Sequence, residues 1–294
     1  MTTQLQRFCD KYYVRGLPRL LYAARQRRDE PQVVSDPDGV RVWCDLENPF
    51  QFHIKWGNYE HAVRKLIREC LREGDTFVDI GCNVGYLSCV AAACVRSTGK
   101  VISVDPNPAV IELTQRNATL NDFSWIETHC AAAGATSGVA KLRVGTEHSL
   151  STLCEGVKGI QVASVLEVPV MQVDELLTET EVVRMVKIDT EGYEAEVLSG
   201  MTELIRKRQT HFIFEHVGNC FDDPVSVLSS NLKHFSEGYT AFWLPTKMPR
   251  KLFEKKSVQH VRITKEILDH VAHSRGDVFV VPNDSGNDQP GHSL

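Results

Sequence analysis

The chain has 294 residues, and 33 Lys and Arg stand against 38 Asp and Glu, which gives a formal charge of −5 at pH 7. Hydrophobic residues make up 42%, an ordinary fraction for a water-soluble globular protein. The mild acidity argues against a nucleic-acid partner, since phosphate binding needs a concentrated basic face. Nine cysteines without a close CxxC pair argue against a disulfide scaffold or a structural zinc site, and predict reduced thiols in a cytoplasmic protein. The sequence also predicts no signal peptide, no membrane-spanning helix and no membrane partner.

Residues 1–58 are predicted to form a cap of helices and one β-hairpin, because they are too few for a core of their own. The helices lie within residues 1–30 and break near Gly16 and Pro18. The turn sequence Pro37-Asp38-Gly39 lies between two strand-like runs and is a strong hairpin signal.

Residues 59–282 are predicted to form the main α/β domain. A helix over 59–72 is followed by apolar strands that alternate with helices. Such near-continuous apolar strands indicate a parallel sheet that is covered on both faces. Residues 283–294 have almost nothing to bury and are expected to be a disordered tail.

The most informative local sequence is VDIGCNVGYLS at 78–88, a strand that leads through a glycine turn into a helix. Gly81 and Gly85 allow a sharp turn and the close approach of a ligand to the backbone. In an open parallel sheet, this first strand-to-helix turn is where a nucleotide-like ligand binds. The spacing is not that of the dinucleotide fingerprint G-x-G-x-x-G, and the carboxylate of Asp79 suits a cationic ligand. Asp79-x-Gly81-x-x-x-Gly85 resembles the S-adenosylmethionine (SAM) site of Rossmann-like methyltransferases.

Three further positions extend this expected cofactor site. Asp105 ends the next strand, 20 residues after Gly85, where an acidic side chain accepts hydrogen bonds from ribose hydroxyls. The alternative is a purely structural role for Asp105, as a turn residue before Pro106. Asn83 is expected to hold the methionine end of SAM through its amide. The third strand ends in small residues around Ala132, which leave room for the adenine ring.

The string MVKIDTEGYEAEVLSGM at 185–201 resembles the K-I-D-x-E-G-x-E-x-x-V-L-x-G signature of the FkbM-type SAM-dependent methyltransferases. The family's Tyr-Glu pair, G-A-N-x-G-Y turn, E-P-N-P strand end and L-D-D-L segment have counterparts in the same order, at 59–60, 81–86, 105–108 and 173–176. Cys82 replaces the usual alanine of the turn. The resemblance covers about residues 50–282. It implies a Rossmann-like class I methyltransferase fold, with a seven-stranded, mostly parallel sheet flanked by helices, and it adds Glu60 to the expected cofactor residues.

The resemblance also implies the reaction, which is methyl transfer from SAM, most often to a hydroxyl group. The expected acceptor is a small molecule such as a sugar or a secondary metabolite. The alternatives are N-methylation of a small molecule or peptide and, from other classes, a nicotinamide-dependent oxidoreductase or a non-catalytic binding protein on the same sheet. The sequence identifies no particular acceptor and leaves the oligomeric state open, a homodimer included.

Candidates for catalysis stand at the carboxyl ends of two strands. Asp189 and Glu191 follow one strand, and Glu215 and His216 end the strand HFIFEHV. Because Glu215 and His216 alternate sides, only one of them faces the pocket if the strand is regular. In one mechanism His216 or Asp189 takes the acceptor's proton. In the other, Asp189 and Glu215 hold a divalent ion such as Mg²⁺, which binds the acceptor oxygen. We favour the acid–base mechanism.

Neighbouring charged residues have structural interpretations. Lys187 shares a strand face with Asp189, so a salt-bridge set closed by Lys187 is the structural alternative to a catalytic cluster. The short helix that follows is expected to open at Glu191. Glu194 and Glu196 are expected to be solvated residues of that helix.

Overall fold

The structure of the protein is a computed structural model, and it describes residues 3–14, 16–25, 30–145, 151–154, 161–235, 238–245 and 253–283. The predicted disordered tail therefore lies outside the described residues, apart from Asn283. Within the described ranges, no helix is long and apolar enough to cross a membrane. All nine cysteines are described, and all are free thiols.

The N-terminal residues form helices, a hairpin and one strand that the sequence did not predict. The elements are α1 (Gln4–Lys11), β1 (Tyr12–Val14), α2 (Leu17–Ala23), β2 (Gln32–Ser35), β3 (Arg41–Cys44), α3 (Pro49–Phe52) and the 3-10 turn Ile54–Trp56. The predicted hairpin is present as β2 and β3. Its turn is closed by Asp36, whose carboxylate accepts hydrogen bonds from the amides of Asp38 and Val40, both at 2.9 Å.

The remaining strands form two further sheets, and one strand pairs with β1. They are β4 (Thr76–Ile80), β5 (Lys100–Asp105), β6 (Ile126–Cys130), β7 (Ala132–Ala133), β8 (Gly138–Gly145), β9 (Ser151–Thr152), β10 (Val162–Met171), β11 (Val183–Ile188), β12 (His211–Val217), β13 (Tyr239–Pro245), β14 (Phe253–Lys255), β15 (Val261–Arg262) and β16 (Arg275–Pro282). Strand β14 pairs with β1. Strands β7, β10, β8 and β9 form a small sheet in that order, which the sequence did not predict.

The main sheet has the order β6-β5-β4-β11-β12-β16-β13-β15 among the described strands. The run from β6 to β12 is parallel, and β16 lies antiparallel between β12 and β13. The sequence predicted seven strands, whereas the described sheet has eight. The additional strand is the two-residue β15, which pairs with β13 at the edge of the sheet. The central strands β4 and β11 are almost wholly buried, in agreement with their continuous apolar sequence.

Helices cover both faces of this sheet. They are α4 (His61–Cys70), α5 (Tyr86–Val95), α6 (Pro108–Leu120), α7 (Val173–Leu176), α8 (Glu194–Ser199), α9 (Thr202–Arg206), α10 (Pro224–Lys233) and α11 (Lys265–Ala272). Hairpin residues Val34 and Val42 belong to the same apolar cluster as Ile67 of α4 and Val90 of α5. The hairpin and the main sheet therefore share one hydrophobic core.

Candidate active site

The glycine turn after β4 is shaped by contacts within the protein. Gly81 and Gly85 have φ of 72° and 70°, a region that favours glycine. A Cβ on Gly81 would lie 1.8 Å from the carbonyl oxygen of Asp189, and one on Gly85 would lie 2.6 Å from Cγ2 of Thr114. Both glycines therefore allow the close approach of two protein segments, and the close approach of a ligand stays a prediction. Between them Asn83 is also left-handed, with φ of 48°, a strain typical of ligand sites.

A cleft opens at the carboxyl ends of β4, β5 and β11. Asp105 lies at its edge, only 9% exposed, and accepts a hydrogen bond from the Asn107 amide at 2.9 Å. Burial raises the pKa of Asp105 to about 7. The cleft brings together four of the expected cofactor residues, which are Gly81, Asn83, Asp105 and Ala132.

A smaller cavity shares Asn83 and Asp189 with the large cleft as lining residues. Glu60 lines this smaller cavity and is the left-handed N-cap residue of α4, with φ of 46°. Burial, and then the negative charge of Asp189, raise the pKa of Glu60 to about 7. The two cavities therefore adjoin at Asn83 and Asp189.

Lys187 closes a buried salt-bridge set beneath the turn. Its ammonium lies 3.5 Å from Oδ1 of Asp79 and 3.4 Å from Oδ2 of Asp189, and it donates a hydrogen bond to the Gly81 carbonyl at 2.7 Å. The fully buried Asp79 also accepts a hydrogen bond from Ser88 at 2.6 Å, and it lines neither cavity. The geometry therefore favours a supporting role for Asp79 over the expected direct contact with the cofactor.

Three carboxylates meet at the strand ends beside the cleft. Asp189, Glu191 and Glu215 each offer one oxygen, and these atoms lie within 4.8 Å of one another. Burial, and then the charge of Asp189, raise the pKa of Glu191 to about 9 and that of Glu215 to about 8. Arg275 donates two hydrogen bonds to Oε1 of Glu215, at 3.0 and 3.3 Å. Burial and mutual repulsion therefore favour the protonated forms of Glu191 and Glu215, whereas Arg275 opposes this at Glu215.

His216 is not part of this cluster. Its side chain is 2% exposed, and Nε2 donates a hydrogen bond to the carbonyl oxygen of Ala272 at 2.8 Å. The ring stacks on Phe221, with centroids 6.0 Å apart, and burial lowers its pKa. Since neighbours on a strand point to opposite faces, the position of Glu215 in the cluster turns His216 away. The geometry does not support the expected histidine base.

Two residues near the cluster were missed from the sequence. Glu194 is buried, not solvated, and its Oε1 accepts three hydrogen bonds of 3.1 Å from Thr190 and the Gly192 amide. These bonds shape the loop that carries Glu191, and α8 begins at Glu194 instead of Glu191. Thr152, from the small sheet, donates to the Glu191 carbonyl at 2.8 Å. Glu194 lies two residues after Gly192 in the sequence, and this close spacing could have indicated its hydrogen bond to the Gly192 amide. No feature of the sequence indicated the contact of Thr152 with Glu191.

Strand β16 contributes two more charged residues that only tertiary pairing reveals. In the sheet register Asp277 lies opposite Glu215, and Arg275 lies opposite Val217. Burial, and then the charge of Glu60, raise the pKa of Asp277 far above its usual range. The site thus carries more acidic than basic groups, an arrangement that favours a cationic ligand.

The chain is similar to known methyltransferases. Residues 79–223 match the family model described as the methyltransferase FkbM domain. The hexuronic acid methyltransferase AglP of Haloferax volcanii is 26% identical over 176 residues, 58% of this chain and 68% of that protein. A probable cobalt-precorrin-6B C(15)-methyltransferase of Pyrobaculum aerophilum is 38% identical over 58 residues, 19% of this chain and 30% of that protein.

Among solved structures, the methyltransferase FkbM of Methylobacillus flagellatus KT aligns with a TM-score of 0.44 and 12% identity, covering 90% of this chain and 59% of that one. The domain match at 79–223 includes the glycine turn, Asp105, the K-I-D-x-E-G string and β12. Residues 79–223, about half of the chain, therefore match the methyltransferase FkbM domain.

Proposed function

We propose that the protein transfers a methyl group from SAM to a hydroxyl group of a small molecule, such as a sugar or a secondary metabolite. The observation that carries this proposal is the three-carboxylate cluster of Asp189, Glu191 and Glu215, of which Asp189 and Glu191 line the cleft that also holds Asp105. Similarity to a hexuronic acid methyltransferase supports a sugar-like acceptor.

The two cavities support one orientation of SAM. The larger cleft, with the carboxylate of Asp105 and the small residues around Ala132, suits the ribose and the adenine. The smaller cavity, with Glu60 and the Asn83 amide, suits the methionine end, because a buried carboxylate there pairs with an ammonium group. Asn83 and Asp189 line both cavities and so lie where the two parts of the cofactor meet.

The chain's own contribution to the reaction is alignment and proton removal. Bound SAM supplies an activated methyl group on a sulfonium, so the protein has to hold the acceptor oxygen in line with it. Lys187 already pairs with Asp189, and Arg275 already bonds Glu215. Glu191 is therefore our proposed general base. The positive charge of the sulfonium in bound SAM would lower the raised pKa of Glu191 toward neutrality. A general base is most effective in that range.

A divalent ion is the second mechanism to be tested. The three carboxylates are oxygen donors of the kind that Mg²⁺ prefers, so Asp189, Glu191 and Glu215 would hold it and the ion would polarise the acceptor oxygen. The pairing of Asp189 with Lys187 and of Glu215 with Arg275 supports the metal-free mechanism.

The experiment is a transfer assay with methyl-labelled SAM and three sets of acceptors: neutral sugars, uronic acids, and amines or peptides. We expect label in the sugar sets that is stable to the conditions used to cleave methyl esters. Label found only in the amines or peptides would indicate N-methylation and contradict the proposal. A parallel titration with SAM and NADH tests the other classes. Binding of NADH but not of SAM would indicate an oxidoreductase. Binding of SAM without transfer to any acceptor would indicate a non-catalytic binding protein.

A further inference from the structure

The N-terminal hairpin is bonded to the glycine turn through Tyr86, the first residue of α5. The Tyr86 hydroxyl donates a hydrogen bond to Oδ2 of Asp36 at 3.0 Å, and both side chains are almost completely buried. The other oxygen of Asp36 is used by the two amides of the hairpin turn. Asp36 therefore joins the hairpin turn to the helix that begins at the SAM site.

A second bridge joins the same two segments through α6. The buried side chain of Asn117 accepts a hydrogen bond from the Trp43 amide at 2.8 Å and donates one to the Val84 carbonyl at 2.7 Å. One helical turn earlier, Thr114 donates to the Asn83 carbonyl at 3.2 Å. Two consecutive carbonyls of the turn are thus held by α6, and Asn117 connects one of them to β3.

The opposite wall of the smaller cavity is tied to the hairpin as well. Arg64, on the first turn of α4 after Glu60, is 4% exposed and bonds Oδ2 of Asp38 at 2.7 Å. It also forms an ion pair with Asp10 of α1. Gly57 packs closely against both side chains, since a Cβ added at this position would lie within 3.1 Å of each. The hairpin turn therefore contacts both segments that flank the smaller cavity, one carrying Glu60 and one carrying Asn83.

We propose that the hairpin of β2 and β3 is a positioning element of the SAM site, which acts through Tyr86 and Asn117 on the turn that faces the methionine end. The inference rests on the proposed orientation of SAM. Asp36 and Asn117 are positioning residues, because they line neither cavity and their polar atoms are used by protein partners. Tyr86 lines the smaller cavity, but its hydroxyl is used by Asp36. Rigid support of a binding turn from outside the site is a general requirement for precise ligand geometry.

The test measures SAM and 5′-methylthioadenosine binding to the full chain by calorimetry. The second ligand keeps the adenosine and the sulfur but lacks the amino-acid part. Tyr86→Phe should raise the Kd for SAM about tenfold, the scale of one buried hydrogen bond, and leave the Kd for 5′-methylthioadenosine within about twofold. Asn117→Ala should have the same selective effect.

The matched control is Tyr239→Phe, which removes a tyrosine hydroxyl that donates to the Ile205 carbonyl at 2.9 Å, away from both cavities. It should lower the melting temperature and leave both Kd values unchanged. If Tyr86→Phe weakens both ligands equally, or neither, the positioning role is wrong. Failure of the unaltered chain to bind SAM would instead overturn the proposed function itself.

Discussion

Lys187 and Asp189 form an ion pair at the end of β11, with Nζ and Oδ2 3.4 Å apart. The same ammonium reaches Asp79 and the Gly81 carbonyl, so one cation joins two central strands to the glycine turn. Its neighbouring carboxylates raise the pKa of Lys187, which keeps it charged despite its burial. Lys187 therefore fixes Asp189 at the junction of the two cavities, while Glu191 is left to exchange a proton.

Removal of this cation should destabilise the protein strongly. Lys187→Met leaves two buried carboxylates without their partner, and we expect the free energy of unfolding to fall by about 3 kcal/mol or more. Urea denaturation measures the change. The control is Lys100→Met, because Lys100 pairs with Glu127 near the surface and should cost less than about 1 kcal/mol. Equal losses in both variants would contradict the proposed importance of the buried set.

Loss of the Asp105 carboxylate should weaken SAM binding. Asp105→Asn removes a charged acceptor for the ribose hydroxyls, and we expect the Kd for SAM to rise about tenfold. Because burial raises the pKa of Asp105 to about 7, affinity in the unaltered protein should increase between pH 6 and pH 8. Calorimetric titration checks both. Asp122→Asn, at an exposed turn, is the control, and an unchanged Kd in Asp105→Asn would disprove the ribose contact.

The stability of the ligand-free protein should fall as the pH rises from about 5 to 9. In the unfolded chain Glu191 and Glu215 lose their protons near their ordinary pKa, whereas in the folded protein they keep them to about 9 and 8. Across this window the folded state binds more protons, so increasing pH favours unfolding. Glu191→Gln should flatten the dependence of the melting temperature on pH and raise it at pH 8. Glu196→Gln, at an exposed position nearby, should do neither.

The same Glu191→Gln variant should lose catalysis. If Glu191 takes the acceptor's proton, its amide should lower kcat about a hundredfold or more at saturating SAM. His216→Gln is the comparison, since the His216 ring faces away from the cluster and burial already keeps it neutral. Its pH–rate profile should keep the unaltered shape. A pH–rate profile that loses its acidic limb in His216→Gln and not in Glu191→Gln would restore the histidine base.

Metal removal should leave turnover unchanged. Lys187 and Arg275 already provide positive charge to Asp189 and Glu215, so the metal-free mechanism requires no added ion. Incubation with EDTA, followed by assay with and without added Mg²⁺, measures this directly. Activity lost to EDTA and regained with Mg²⁺ would establish the metal mechanism.

Much of the fold follows from the sequence because its signals are local. The apolar strands, the hairpin turn after Asp36 and the glycine turn at Gly81 each depend on residues that are adjacent in the chain. The small sheet was missed because β8 and β10 pair over a long range, and no short motif specifies such pairing. For the same reason β14 could not be foreseen as the partner of β1.

For the site, the sequence by itself determined which residues stand at strand ends, among them Asp105, Asp189 and Glu215, since strand ends are read from local pattern. The choice between Glu215 and His216 depended on which face of β12 meets the cleft, and only packing decides that. The tertiary structure also placed Arg275 beside Glu215, across an antiparallel pair 60 residues apart. Charge environment, and with it the protonation of Glu191, depends on distances between elements, which no local sequence contains.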